Sequence, residues 1–190
     1  RNESSAASDV YKRQILMKGP FVMIGYYKNE ELTEQTLRGG WLHTGDKGFL
    51  DEDNYLHITG RVADSFKTSK GEYIEPLTLE QYFVNINEIE EVCVVGLGIA
   101  QPICLIQLSE IGKKCSNEEI TNLLLDRLNE VNSEVVNYKK ISTLIVVKEQ
   151  WTQENGIVGP TQKLKRGKIQ DKYSNYYLKW HESDEKIIFE

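Results

Sequence analysis

The 190-residue chain carries 23 Lys and Arg against 29 Asp and Glu, a net charge of -6. That balance provides no general attraction to nucleic acid or to an anionic membrane surface, although local basic patches remain open. The length suits one good core, or one small domain with part of another, and no apolar run approaches the roughly 20 residues of a membrane-spanning helix.

The opening residues RNESSAASDVYKRQ show no hydrophobic period and stop abruptly at ILMKGPFVMIGYY. Asp9 to Gln14 resembles the translated read-through of a sequencing adapter, so Arg1 to Gln14 is set aside as a non-native scar, with a disordered native linker as the alternative. Either reading makes this a C-terminal fragment of a longer protein, and no charged-then-apolar signal peptide opens it. From Ile15 to Tyr27 apolar residues broken by Gly19-Pro20 predict short strands at the end of a larger body, residues 15–61. NEELTEQTLRGG predicts a brief helix stopped by Gly39-Gly40. WLHTGD, the acidic turn Asp51 to Asn54 and YLHITG then predict strand, turn and strand. Asp46 and Arg61 lie at the outer ends of that unit, and a hairpin folds such ends back toward each other, so both side chains can serve one ligand.

A junction at residues 62–64 and a basic turn around Lys70-Gly71 follow. Beyond them the pattern predicts a helix near Pro76, strands EEVCVVGLG and PICLIQLS, and a helix announced by a capping box at Ser116 and Glu119. Its apolar stripe is Ile120, Leu124, Leu128, Val131 and Val135, and it wants a sheet to cover. ISTLIVVKE adds a strand and GKIQDKYSNYYLKW a last helix. The fold class is therefore α+β: a small mixed sheet with helices over residues 65–190, preceded by strands. Cys93, Cys104 and Cys115 recur every eleven residues without a neighbouring histidine. This is no usual zinc spacing and reads as reduced structural thiols in a reducing compartment.

GWLHTGDKGFLDEDNYLHITGRVADSFKTSKGEYIEP resembles the hinge region of the adenylate-forming enzymes, the acyl-CoA synthetases and their relatives. FKTSKGEYIEP and GPTQKLKRGKI are similar to the long-chain fatty-acid CoA ligase branch. The resemblance covers about Ile15 to Lys179, and it is specific through the combination of TGD, GR and KxxG, each weak alone. It implies that the C-terminal part is a lid domain and that Thr44, Asp46 and Arg61 bind the nucleotide. A carboxylate can accept from both ribose hydroxyls at once, and a guanidinium offers a planar fork to phosphate or ribose oxygens. The competing readings are a turn aspartate capping KGF and a surface arginine paired with Asp64 or Asp46. Ile58 packs against adenine in such enzymes, or is an inward strand residue.

The resemblance further implies that the lid swings about a residue where this chain has Ala63, with Asp64 next; either can serve as the pivot. Lys67, Lys70 and Gly71 would line the path of the coenzyme A arm, against the alternative of a plain hairpin turn. Gly71 stands where backbone must come close to something. Lys163, Lys165, Arg166, Lys168 and Lys172 fall within ten residues. They are a solvated helix face, or they hold the catalytic lysine that the family places here. Lys163 fits the register of Pro160 and Arg166, although Gln162 stands where the family commonly has Gly; a slip in register would choose Lys168. GLGIA lacks the third glycine of a dinucleotide fingerprint. His43, His57 and His181 lie in no catalytic motif.

The implied activity is that of an ATP-dependent long-chain fatty acid–CoA ligase. Carboxylate and ATP give acyl-adenylate and pyrophosphate, then coenzyme A captures the acyl group and AMP leaves. ATP or AMP and coenzyme A are the implied cofactors, with a magnesium site and a Gly-rich phosphate loop expected upstream of these residues. The fragment alone is expected to be inactive. Fatty acid and coenzyme A are the partners, without nucleic acid or a transmembrane segment, in the cytoplasm or at the periphery of an intracellular membrane. The alternatives are a relative that loads a carrier protein and a non-enzymatic interaction domain.

Overall fold

The computed structural model describes residues 13–190. The chain divides into two compact units, the first ending at Asp64 and the second spanning Ser65–Glu190. Of the stretch set aside as a scar, residues 1–12 lie outside the described residues. Gln14 opens a sheet strand and pairs with Lys47, and the carbonyl of Arg13 just before it accepts from the Gly48 amide at 2.9 Å.

The first unit is an antiparallel sheet built around one long strand. β1 (Gln14–Met17) and β2 (Leu37–Arg38) both pair with β3 (Trp41–Leu50), as does β4 (Leu56–Arg61). Helix α1 (Glu30–Thr36) starts where the Asn29 side chain accepts the Leu32 amide at 3.0 Å, as an N-cap should. Leu37 and Arg38 leave it at once as β2, so Gly39-Gly40 forms the β2–β3 turn and does not itself stop the helix. A bulge after Lys47 shifts the β3–β4 register, and Gly48 is required there because a Cβ would lie 2.6 Å from the His57 carbonyl. Among the described residues no hydrophobic side chain before Ile74 is buried, and Phe21, Ile24, Tyr27, Phe49, Leu50 and Ile58 are exposed. The described residues of this unit form no core of their own.

The second unit has one. Its central sheet runs β10 (Ile187–Phe189), β9 (Leu144–Val146), β8 (Ile103–Leu108), β7 (Ile89–Val95). β7 and β8 are antiparallel, while the other two pairings are parallel. Because strand side chains alternate, Val94, Cys104, Ile106 and Leu144 face one layer and Cys93, Ile103, Leu105 and Ile145 the other. The first layer is α2 (Pro76–Glu80) with the long α3 (Asn117–Glu134), whose Ile120, Leu124, Leu128 and Val131 are buried. Each fully buried Leu or Ile contributes about 1.5–3 kcal/mol, which is what binds α3 to the sheet. Both arms of the capping box form at its start: Glu119 N donates to Ser116 Oγ and Ser116 N to Glu119 Oε2. Val135 ends the helix as its C-cap and packs only partly. The second layer is α4 (Arg166–Tyr173), a 3₁₀ turn at Ser174–Tyr176, and α5 (Tyr177–His181).

The mixed α+β architecture is as the sequence predicts, but details differ: of the short strands expected from Ile15 to Tyr27, strand structure ends at Met17, and only a bridge from Tyr26 to Asn29 follows. The last helix is broken at Ser174 and Asn175, residues whose side chains compete for backbone hydrogen bonds. Its buried face continues through Tyr173, Tyr177 and Trp180. The final strand β10 was not anticipated from the pattern.

Candidate functional site

Three segments carry the candidate residues, a stretch of strand in the first unit and two turns in the second. In the first, Thr44-Gly45-Asp46 sits mid-β3, where Gly45 adopts φ 78°, a conformation costly for other residues. The Thr44 hydroxyl donates to the Ile15 carbonyl at 2.9 Å and accepts the Asp46 amide at 3.1 Å. This fixes the backbone on both sides of the glycine. Asp46 is the direct register partner of Arg61, and Arg61 Nε lies 3.4 Å from Asp46 Oδ1. Directly opposed residues share a face of the sheet. The carboxylate and guanidinium therefore point the same way, and both side chains remain in contact with solvent (39% and 63% exposed). The Val62 amide still donates to the Gly45 carbonyl at 2.8 Å, and the Asp64 amide turns back to the Arg61 carbonyl. The division between units follows directly, after Asp64.

Ile58 is exposed and not an inward strand residue. His57 stacks on Phe49 with ring centroids 5.1 Å apart and contacts Asp51. Hydrogen bonds from His57 and from the Tyr55 amide hold the Asp51 carboxyl below its usual value. This is a turn-stabilising cluster.

In the second unit, β5 (Phe66–Lys67) and β6 (Tyr73–Ile74) form a small hairpin carrying Lys70 and Gly71 at its tip. The Gly71 amide donates to Thr68 O at 3.0 Å, the Thr68 amide to Glu72 O at 2.9 Å, and Gly71 has φ 88°. A Cβ on Gly71 would meet nothing closer than Lys67 Cε at 3.7 Å. Within this chain the glycine is needed for its backbone angle rather than for close approach. Lys67 Nζ lies 5.7 Å from the Tyr73 ring centre. GLGIA has a structural role: its Ile99 carbonyl accepts the Ser69 amide at 2.9 Å and its Gly98 amide donates to Lys67 O, bracing the lysine turn.

Lys163 occupies a turn of the same pattern. The Gln162 amide donates to Gly159 O at 2.9 Å and the Gly159 amide to Lys163 O at 2.8 Å, while Val158 bridges Leu164. Gln162 takes the left-handed conformation here, φ 59°, as Gly71 does in the other turn. The base of the hairpin is firm. Asn155 Oδ1 accepts the Thr152 and Ile157 amides, Trp151 Nε1 donates to Tyr173 Oη, and Ile157 and Val158 are buried. Lys163 is exposed at the tip, whereas Lys168 lies on the exposed side of α4.

Two further residues matter: Glu80, which the sequence left unassigned, and Arg166, which is half-buried and not part of a solvated helix face. Arg166 begins α4, and its Nη2 is paired with Glu80 Oε2 of α2, a carboxylate only 10% exposed. The Glu80 carboxylate was hidden because nothing local marks it; an acid inside the apolar run PLTLE was the available signal. Among the described residues no group of three or more His, Cys, Asp and Glu is disposed to hold a metal ion.

The family model described as AMP-binding enzyme C-terminal domain matches residues 63–176. Fatty acyl-CoA synthetase B of Dictyostelium discoideum is 28% identical over 181 residues, covering 85% of this chain and 27% of the relative. A chloroplastic long-chain-fatty-acid–acyl-carrier-protein ligase of Arabidopsis thaliana is 29% identical over 175 residues, covering 84% and 24%. The solved structure of o-succinylbenzoate coenzyme A synthetase from Bacillus subtilis, in complex with AMP, superposes with a TM-score of 0.63 at 26% identity over 83% of this chain and 30% of that one. The chain thus spans about a quarter of the length of the curated relatives it matches.

Proposed function

The chain belongs to the family of AMP-binding enzyme C-terminal domains, and on that premise we propose that it supplies a ribose-binding hairpin and a lysine-bearing lid to an ATP-dependent long-chain fatty acid–CoA ligase. The observation that carries the reading is the cross-strand pairing of Asp46 with Arg61, placed immediately before the matched domain. Similarity to a fatty acyl-CoA synthetase and to an enzyme solved with AMP supports it.

In this reading Asp46 accepts from the ribose hydroxyls, with Thr44 fixing its backbone, and Arg61 contacts ribose or phosphate oxygens. As a fatty carboxylate attacks the α-phosphate of ATP, negative charge collects on the phosphoryl oxygens. The Lys163 ammonium, held at a firm turn, offsets it in a site closed from water. Pyrophosphate leaves. In the second step a thiolate attacks the acyl carbonyl, the thioester forms and AMP departs, with Lys67 and Lys70 beside the phosphates of coenzyme A. Magnesium would be bound by other residues of the whole enzyme. The exposed Phe21, Ile24 and Tyr27 of the first unit would be covered by its remaining domain. These 190 residues alone would release no pyrophosphate. Among the described residues no helix is long and apolar enough to cross a membrane; in this reading the enzyme would work in the cytoplasm or at the periphery of an intracellular membrane.

The test is fatty-acid-dependent pyrophosphate release by the whole enzyme. Asp46→Asn should raise the KM for ATP about tenfold or more. Unchanged ATP dependence would refute the ribose role. Similarity to an acyl-carrier-protein ligase favours a second reading, in which a carrier takes the acyl group. Comparing free coenzyme A with a pantetheinylated carrier as acceptor separates the two.

A further inference from the structure

Glu80 and Arg166 together close the free edge of the lid's central sheet. Among the described residues β7 is the outer strand and pairs only with β8, which leaves the outward backbone groups of Val94 to be satisfied by something else. The Val94 amide donates to Glu80 Oε1 at 2.7 Å, and Arg166 Nη1 donates to the Val94 carbonyl and to Cys93 Sγ, both at 3.4 Å. Glu80 Oε2 takes the other arm of the guanidinium. One carboxylate therefore ties α2, β7 and the first residue of α4 into a single knot, with Arg166 only 22% exposed.

Arg166 follows Lys163 by three residues, and the connecting chain has little slack. Leu164 is partly buried against the second core cluster, the Lys165 amide donates to the Ile157 carbonyl at 2.8 Å, and Gly159 and Gln162 close the turn. The Lys163 hairpin is thereby pinned at both ends, by buried Ile157 and Val158 on entry and by the Arg166 guanidinium on exit. A point charge acts on a transition state only where its position is held, and a misplacement of about 1 Å costs up to about a hundredfold in rate.

We infer that Glu80 is a positioning residue for adenylation: by holding Arg166 it sets the hairpin that presents Lys163. The inference rests on the proposed role of Lys163. It assigns to a largely buried acid at the sheet edge a selective effect on one half-reaction. Because the Glu80 carboxylate is engaged by Val94 and Arg166 rather than by Lys163, the effect must travel through the hairpin backbone. Loss of the carboxylate charge should loosen that hairpin while the α3 face of the sheet stays intact.

The test is Glu80→Gln in the whole enzyme, a variant that keeps side-chain shape and an acceptor for Val94 but loses the charge facing Arg166. Adenylation should slow about tenfold to a hundredfold, thioester formation from preformed acyl-adenylate should be unchanged, and hydrogen exchange should rise at the Gly159, Gln162 and Lys165 amides but not in α3. Arg166→Lys, which keeps the charge but not the fork, should show the same selectivity to a smaller degree, and serves if Glu80→Gln does not fold. Lys163→Ala runs beside them. If Lys163→Ala slows adenylation while Glu80→Gln and Arg166→Lys do not, or if both half-reactions fall equally, the positioning role is overturned. If Lys163→Ala itself leaves adenylation intact, the underlying assignment of that lysine fails instead.

Discussion

Asp46 and Arg61 stand directly opposite each other in the β3–β4 ladder, with Arg61 Nε 3.4 Å from Asp46 Oδ1. An exposed pair of this kind contributes little to folding, so its loss should be felt in binding. In the whole enzyme Asp46→Asn should raise the KM for ATP about tenfold or more, the scale of a lost hydrogen bond to a charged group. The melting temperature should hardly move. ATP titrations and thermal denaturation of the same preparation read both quantities.

Lys163→Ala should slow acyl-adenylate formation by about 10²–10³, as removal of one preorganised donor does, and leave capture of the acyl group by coenzyme A nearly normal. Lys168→Ala should leave both steps near the parent value. Single-turnover pyrophosphate release, followed by a chase with coenzyme A, separates the steps. A reversed ranking would move the role to α4.

The turn before Lys163 offers a stability measurement independent of catalysis. Gln162 holds φ 59°, where a residue with a Cβ is strained by about 1–2 kcal/mol and a β-branched one more. Gln162→Gly should raise the melting temperature of these 190 residues and Gln162→Val lower it. Part of the gain from glycine is cancelled by the freedom it gives the unfolded chain. If all three proteins melt together, the left-handed turn is not populated.

His181 should give a pH-dependent stability. Burial is the main cause that lowers its pKa below the ordinary 6.5, Glu182 acts in the opposite sense, and the Lys70 and Lys186 charges reinforce the lowering. Its Nδ1 lies 2.9 Å from Ser142 Oγ. A base with a depressed folded pKa is protonated more readily in the unfolded chain. Stability is therefore complete above pH 6.5 and is lost as pH falls below it toward the folded value. Urea titrations between pH 7.5 and 5 should show this slope, and His181→Gln should flatten it. Glu91, raised by burial and by the Glu90 and Glu80 charges, titrates alike in both proteins and cancels from the difference.

What the sequence made legible was local. The capping box at Ser116 and Glu119 and the apolar stripe from Ile120 to Val131 follow from contacts three and four residues apart. The Asp46–Arg61 encounter was readable because a short acidic turn between two strands dictates which ends meet. The Glu80–Arg166 pair joins residues 86 apart in the chain, and no spacing rule links an acid in an apolar run to one arginine among several cations. The same limit hid the break of the last helix. Its tyrosines and Trp180 keep a helical repeat across Ser174–Tyr176, so periodicity alone reads as continuous. The matching turns at Gly71 and Gln162 were disguised by the absence of glycine in the second.

β10 lies along β9 with Ile187 opposite Leu144 and Phe189 opposite Val146, and all three residues of β9 are buried. Those three C-terminal residues work as a selvedge. Cut away, they would leave a bare apolar strand able to recruit the same strand of another molecule. Versions shortened before Ile187 should self-associate in sedimentation runs at concentrations where the 190-residue chain does not, and Ile145→Lys on the shortened chain should restore the smaller species. Where the second unit is trimmed therefore governs whether it stays dispersed in solution.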